Sequence, residues 1–186
     1  MTVYEAIMNR ITIRKFEQKP IEHDTLVKLV DCARMAAYAA NMQPLKFKIV
    51  DDKDVLGKIF PYTKWAAMLK DGTPTEDERP AAYIALLGDT SIKKSFECDA
   101  GAAATTIMLA AYEMGIASCW LGAINRDKIK KALDIDDKYE LTYIIALGYP
   151  SQKSKAVEAK DGNIKYFMDE NNILNVPKRP LDEVLV

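Results

Sequence analysis

One histidine, His23, and three widely spaced cysteines, Cys32, Cys98 and Cys119, are this chain's only imidazole and thiol groups. There is no C-x-x-C pair and the cysteine count is odd, so neither a zinc site nor a disulfide framework is expected. A reducing cytoplasm fits that usage. No apolar run reaches the roughly 20 residues of a membrane-spanning helix. The longest, around Ala100 to Ala111, contains Thr105 and Thr106. Glu5 and Arg10 interrupt the N-terminal stretch, so no secretory leader is expected. A surplus of one charge is missing too. The 26 Lys and Arg face 27 Asp and Glu, a net charge of -1, so no global field favours nucleic acid or an anionic membrane. A G-x-G-x-x-G dinucleotide fingerprint is also absent. What remains is a chain of 186 residues, 49% hydrophobic, which can bury a substantial core as one domain over 1–186.

The residues present alternate between helix and strand signals. Thr2-Val3-Tyr4-Glu5 has the capping-box spacing and predicts a helix to about Asn9. Leu26, Leu29, Val30, Ala33 and Ala37 fall on one stripe of a second helix. Leu45, Phe47 and Ile49 alternate with Lys46 and Lys48, as in a half-buried strand. Asp52 to Phe60 reads as a short helix. Tyr62 to Pro80, with Gly72 and two prolines, reads as a mobile loop with a helical turn at Trp65 to Leu69. Ala82 to Gly88 is a continuous apolar strand. A long helix follows over Phe96 to Met114 and stops at Gly115. Its first half is almost all small residues, which suits either packing on a sheet or a subunit interface. Ile116 to Ala123 and Leu141 to Gly148 read as strands, with Asn125 capping a helix to about Leu133 between them. Ser151 to Gly162 is polar and should be exposed. Tyr166, Phe167, Ile173 and Leu174 then form an apolar tail without an obvious partner.

The segment Arg10-Ile11-Thr12-Ile13-Arg14 carries the clearest binding signal. In an extended backbone, residues two apart share a face. Arg10, Thr12 and Arg14 would line one side, and Ile11 and Ile13 would face a core. Guanidinium forks flanking a hydroxyl suit a phosphate. By itself the triplet also reads as a solvated basic strip.

Four segments together resemble the FMN-dependent nitroreductase family over essentially the whole chain. Arg10-Ile11-Thr12-Ile13-Arg14-Lys15-Phe16 is similar to R-x-S-x-R-x-F, with Thr12 in the serine position. Asn41-Met42-Gln43-Pro44-Leu45-Lys46-Phe47 is similar to N-x-Q-P-W-x-F. Gly115-Ile116-Ala117-Ser118-Cys119-Trp120-Leu121-Gly122 is similar to G-[LI]-x-[ST]-C-W-[LIM]-G. Leu147-Gly148-Tyr149-Pro150 and Val176-Pro177-Lys178-Arg179-Pro180 complete the set. The resemblance implies an α+β fold with a central mixed sheet flanked by helices. It also implies an intertwined homodimer with C-terminal arm exchange, in which 151–186 packs on the partner.

The same resemblance places a cofactor. Arg10, Thr12 and Arg14 would hold the FMN phosphate, with Lys178 and Arg179 completing that site. Asn41 and Gln43 would reach the flavin ring or ribityl chain, commonly that of the other subunit. Leu121 and Gly122 would lie beside the ring, with a backbone N–H near N5. No side chain is implied as catalytic, because the flavin carries the chemistry. NADH or NADPH would donate electrons in a ping-pong cycle, and nitroaromatics, quinones or similar electron-poor small molecules would accept them. Tyr38, Tyr62 and Trp65 are candidate stacking residues at the acceptor face. The sequence departs from the family at Ala37-Tyr38, where Pro-Ser is usual, and at Leu45, where the family has tryptophan. Flavin binding without turnover, or a same-fold enzyme of dehalogenation, enone reduction or flavin cleavage, is the alternative.

Overall fold

Strand Ala82–Asp89 (β2) is buried along all eight residues, which explains its unbroken apolar sequence. It lies inside a four-stranded sheet of order β1-β2-β4-β3, with β1 Leu45–Val50, β3 Ala117–Leu121 and β4 Tyr139–Gly148. Every neighbouring pair in this sheet is antiparallel. The structure, a computed structural model, describes residues 1–186.

Alternation along the strands divides the core into two layers. Ile84 and Leu86 of β2 and Ile145 and Leu147 of β4 face helices α2 (His23–Arg34) and α4 (Glu97–Glu113). Tyr83, Ala85 and Leu87, with Ile144 and Ala146, face helices α3 (Lys53–Ile59) and α5 (Arg126–Ala132). Leu26 and Leu29 of α2 are fully buried. Each contributes about 1.5–3 kcal/mol relative to exposure. The small residues of α4 are used for packing within the chain. Ala100, Ala103, Ala104 and Ile107 are fully buried in the layer shared with α2. No helix is long and apolar enough to cross a membrane.

The expected helix boundaries hold where a cap was legible. Helix α1 (Val3–Asn9) has the full capping box between Thr2 and Glu5, and Asn125 accepts from Lys128 N at the start of α5. Gly115, after α4, takes a left-handed φ of +72°, which glycine tolerates without a Cβ penalty. The Tyr62–Pro80 segment differs from expectation in part. Its 3₁₀ turns fall at Phe60–Tyr62, which holds Pro61, and at Glu76–Glu78, closed by a Thr75–Glu78 capping box, while Trp65 to Leu69 holds a single turn, Leu69 N donating to Ala66 O at 2.9 Å, with Ala66 at a φ of 38°. Trp65, Ala66, Gly72 and Pro74 of this loop are buried.

The tail forms a second, three-stranded sheet. Strand β5 (Lys153–Glu158) runs parallel to β7 (Ile173–Lys178), and the short β6 (Phe167–Met168) pairs antiparallel on its other side. Mixed pairing therefore resides here, while the central sheet is antiparallel. Pro177 is tolerated in β7 because β6 pairs only with Leu174 and Asn175, so one side of the strand is free at the proline. The polar alternation of 153–158, expected only as exposed chain, is the pattern of a one-sided strand. Leu174 is fully buried, whereas the last helix, α6 (Leu181–Val184), is exposed throughout.

Candidate functional site

Arg10 caps the C-terminal end of α1, where its backbone N–H donates to Ala6 O. From there its side chain enters a cavity of about 460 Å³. The floor is Gly115–Ser118, leading into β3, and the far wall is Gln152–Lys155 with Ile173 from the tail sheet. Arg10, Lys153 and Lys155 are the charged groups of the lining, and no carboxylate is among them. Lys155 reaches Asp169 at 3.4 Å outside this wall. Burial pulls the Arg10 pKa down from its usual value, although an arginine stays charged in any case. Ser118 is 2% exposed and its hydroxyl has no partner. The half-buried Arg10 and the exposed Lys153 and Lys155, on a lining without carboxylates, suit an anion with several acceptor oxygens.

The triplet does not form the single flat face expected of it. Only Ile13 donates to the neighbouring strand, to Ser118 O at 3.1 Å. With no continuous ladder the segment is irregular and strict alternation fails. Ile13 joins the core, but Ile11 is half-buried and both isoleucines line the same cavity as Arg10. Arg14 turns into an adjacent cavity of about 710 Å³, where Gln152 and Lys153 are shared with the first. Its guanidinium sits 4.8 Å from the Tyr166 ring centre, its backbone N–H donates to Gln152 Oε1 at 3.3 Å, and Nη1 is buried without a partner. Thr12 is half-buried between them and lines neither cavity.

The other expected residues are not assembled around Arg10 within one chain. Asn41 and Gln43 lie exposed between α2 and β1. Ala40, Asn41 and Gln43 all have positive φ, 50°, 53° and 49°. Such strain points to a functional loop. Asp99, at the start of α4, holds it in place by accepting from Ala39 N and from Lys93 Nζ, both at 2.8 Å. Leu121 is buried at the end of β3, and Gly122 follows it with its carbonyl bound by Ile124 N and Arg126 Nη2. A Cβ on Gly122 would meet only the Tyr143 ring edge at 3.5 Å, so internal packing does not require glycine there. Lys178 and Arg179 lie at the end of β7 opposite to Ile173, about 16 Å along the strand at the usual rise. Both are exposed, and Arg179 pairs with Glu183 at 3.0 Å.

The aromatic candidates divide. Tyr38 is half-buried and its hydroxyl donates to Ala33 O at 3.1 Å. Tyr62 is half-buried against the α3–α5 layer. Trp65 is 7% exposed, stacks on Phe60 at 5.8 Å and donates from Nε1 to Thr63. In this chain it is a packing residue with no free stacking face, because the loop folds inward around it.

Gln152, Lys153, Lys155, Ser118 and Tyr166 were not singled out from the sequence. The Lys153-Ser154-Lys155 alternation was a usable signal, being the same i, i+2 pattern as Arg10-Thr12-Arg14. Cys119 is buried, and burial pushes its thiol up to about 11 while Arg14 pulls the other way, so it is inert at neutral pH.

Known proteins share this sequence and architecture. A protein of Archaeoglobus fulgidus, provisionally named NADH dehydrogenase/NAD(P)H nitroreductase, is 29% identical over 165 residues, covering 84% of this chain and 90% of its own. A nitroreductase family protein from Clostridium novyi NT is 29% identical with a TM-score of 0.68, covering 81% of this chain and 87% of that one. An FMN-dependent nitroreductase from Clostridium difficile R20291 is 25% identical with a TM-score of 0.70, covering 90% and 99%. The family model described as Nitroreductase family matches residues 7–149. That match runs from the end of α1 through the whole central sheet, including the Arg10 segment, the strained Asn41 loop and the β3 turn at Gly122, and on this evidence the chain belongs to the nitroreductase family.

Proposed function

We propose that this protein is an FMN-dependent oxidoreductase that draws electrons from NADH or NADPH and reduces electron-poor small molecules such as nitroaromatics and quinones. The observation that carries the reading is the Arg10 cavity: cationic, free of carboxylates, and bordered by the unpartnered buried Ser118 hydroxyl. FMN ends in a phosphate, and guanidinium, ammonium and hydroxyl donors are the groups that receive one. When bound, FMN supplies electron and hydride transfer, which the protein's side chains do not.

The chain's own residues bind and orient. Arg10, Arg14 and Lys153 anchor the phosphate end, with Thr12 between the two arginines. Leu121 and Gly122 border the ring, where a backbone donor at Gly122 would stabilise charge developing at N5. Asn41 and Gln43 are exposed on a loop held by Asp99, with Gln43 Nε2 donating to Asn41 O at 3.2 Å, and their exposure suits contact with a flavin bound mainly by a second subunit. Lys178 and Arg179 would complete the partner's phosphate site if the exposed end of β7 reaches across the dimer while Gln152–Lys155 stay on their own chain's cavity. A homodimer is supported by the apolar residues left uncovered, Tyr4, Ile7 and Met8 on α1 and Val184 and Leu185 at the end. Tyr38 and Tyr62 are the remaining aromatic candidates at the acceptor face. The three free cysteines suit a reducing compartment such as the cytoplasm.

Purification and anaerobic reduction test the reading. The protein should be yellow, release FMN on denaturation, and bleach with at least one of NADH and NADPH. Donor and acceptor use one site in turn, so double-reciprocal plots should be parallel. A colourless protein that takes up no added FMN overturns the proposal. A yellow protein that neither nicotinamide bleaches is a binding module instead.

A further inference from the structure

Arg14 is half-buried at the cavity of about 710 Å³ and has no counter-charge. It takes part in none of the chain's ion pairs. The carboxylates of the same lining are Asp71 and Glu78, and Glu78 is bound by Lys15 at 3.0 Å. Burial raises the Cys119 thiol to about 11 although Arg14 draws it down, so the thiol is neutral. A neutral thiol is only a weak acceptor. A guanidinium on so long a stem loses its rotamer freedom only where another contact orders it.

Two residues of the tail supply that contact. Gln152 fixes the backbone, its Oε1 accepting from Arg14 N at 3.3 Å. Tyr166 meets the guanidinium, whose central carbon lies over the ring at 4.8 Å from its centre. Arginine stacks on aromatic faces because the ring quadrupole attracts its delocalised charge. The ring is itself tied at three points. Phe167, next in the chain, pairs with Asn175 of β7. Lys165, on the other side, donates from its backbone N to Asn163 Oδ1 at 3.1 Å. The Tyr166 hydroxyl accepts from Met68 N at 3.2 Å, a bond that joins the Trp65–Gly72 loop to the tail across 98 positions of sequence. Met68, Tyr166 and Arg14 all line the one cavity.

We propose that Tyr166 is a positioning residue of the phosphate site: its ring face fixes the Arg14 guanidinium at the cavity wall, and the Met68 amide fixes the ring. The inference rests on the proposed FMN reading, in which Arg14 meets the phosphate. Tyr166 acts through Arg14. An arginine already ordered gives up less freedom when the phosphate arrives, so the ring raises affinity by preorganisation.

Stepwise dilution of the full-length holoprotein, read by the returning fluorescence of free FMN, gives the FMN dissociation constant of the parent and each variant. Tyr166→Leu should raise it about five- to thirtyfold, the range of a partly desolvated cation–π contact. Tyr166→Phe keeps the ring face and should stay within about twofold of the parent. In an Arg14→Ala background, Tyr166→Leu should change the constant by less than about twofold, because the two residues act as a unit. A residue that merely stabilised the fold would weaken binding in both backgrounds. Hydrogen exchange at the Met68 amide reads the tether without reference to flavin, and should be faster in Tyr166→Phe than in the parent. If the parent holds FMN, the inference alone is overturned by Tyr166→Leu binding as the parent does, by Tyr166→Phe as weak as Tyr166→Leu, by an undiminished loss in the Arg14→Ala background, or by unchanged exchange at Met68. A parent that holds no FMN overturns the proposed function and this role with it.

Discussion

Replacing Asp99 by alanine should unfasten the Asn41 loop and destabilise the whole chain. The Asp99 side chain is 1% exposed and accepts two bonds at 2.8 Å, from Lys93 Nζ and from Ala39 N. Alanine leaves the Ala39 N–H without that acceptor and strips Lys93 of its counter-charge. An orphaned buried donor costs about 1–3 kcal/mol, and because Ala39 is exposed water takes over part of its bond, which puts this loss at the low end. Breaking a buried ion pair costs about 3–5 kcal/mol, but Lys93 is 22% exposed and recovers part of that in water. A net loss of about 2–3 kcal/mol follows from the two. For a chain of this size that lowers Tm by about 4–12 °C. Asp99→Asn keeps an acceptor for Ala39 and loses only the charge, so it should fall between parent and alanine. Burial pushes the Asp99 carboxyl up, but the bonds from Lys93 and Ala39 outweigh it and hold its pKa below the usual value. Its contribution is therefore present above the ordinary aspartate pKa and is lost as pH falls through the lowered folded value. Thermal melts of the three proteins at pH 7, repeated down to pH 3, measure this. The gap between parent and Asp99→Ala should shrink at the acid end. An alanine variant melting within 1 °C of the parent at pH 7 would refute the claim that this buried pair holds the loop.

Other outcomes follow from particular contacts. On the proposed reading, Arg10→Ala with Arg14→Ala should weaken FMN binding by several kcal/mol at most, at about 1.5–3 kcal/mol per charge-assisted bond; unchanged affinity in a fluorescence titration removes the phosphate assignment. Deleting residues after Pro177 should loosen the dimer or the cofactor, and a truncated protein that sediments as a dimer with full flavin content counts against an exchanged arm. Gly88→Ala would put a Cβ about 2.2 Å from the Phe96 ring, and Phe96 is buried with nowhere to move, so a loss of about 1–3 kcal/mol should appear in urea unfolding. In thiol titration at pH 8, exposed Cys98 should react first and Cys119 only after unfolding, because burial holds its thiol at about 11.

The elements legible in the sequence were those written in local chemistry. The Thr2–Glu5 box, the Asn125 cap, the stop at Gly115 and the apolar run of β2 each act within a few residues, so periodicity and caps locate them. The loop from Tyr62 to Pro80 has a composition that signals breakers, whereas its inward packing comes from Trp65 sinking against Phe60, a contact no local pattern announces. The Asp99–Lys93–Ala39 anchor joins residues up to sixty apart, and no local pattern announces such a bond. Lys153 and Lys155 were missed as wall residues because a charged alternating stretch looks like solvated chain until a second strand lies beside it.

By itself, the sequence determined the main helices and strands up to Gly148, the resemblance to a flavoenzyme family and the basic character of the Arg10–Arg14 segment. These follow from side-chain period, capping and residue chemistry, which are properties of short stretches. The tertiary structure alone decided which groups meet. It set Arg10 and Arg14 in adjacent cavities joined by Gln152 and Lys153, and left Lys178 and Arg179 at the far end of β7. Those meetings depend on sheet order and on where the tail folds back, and both are fixed by burial across the whole chain.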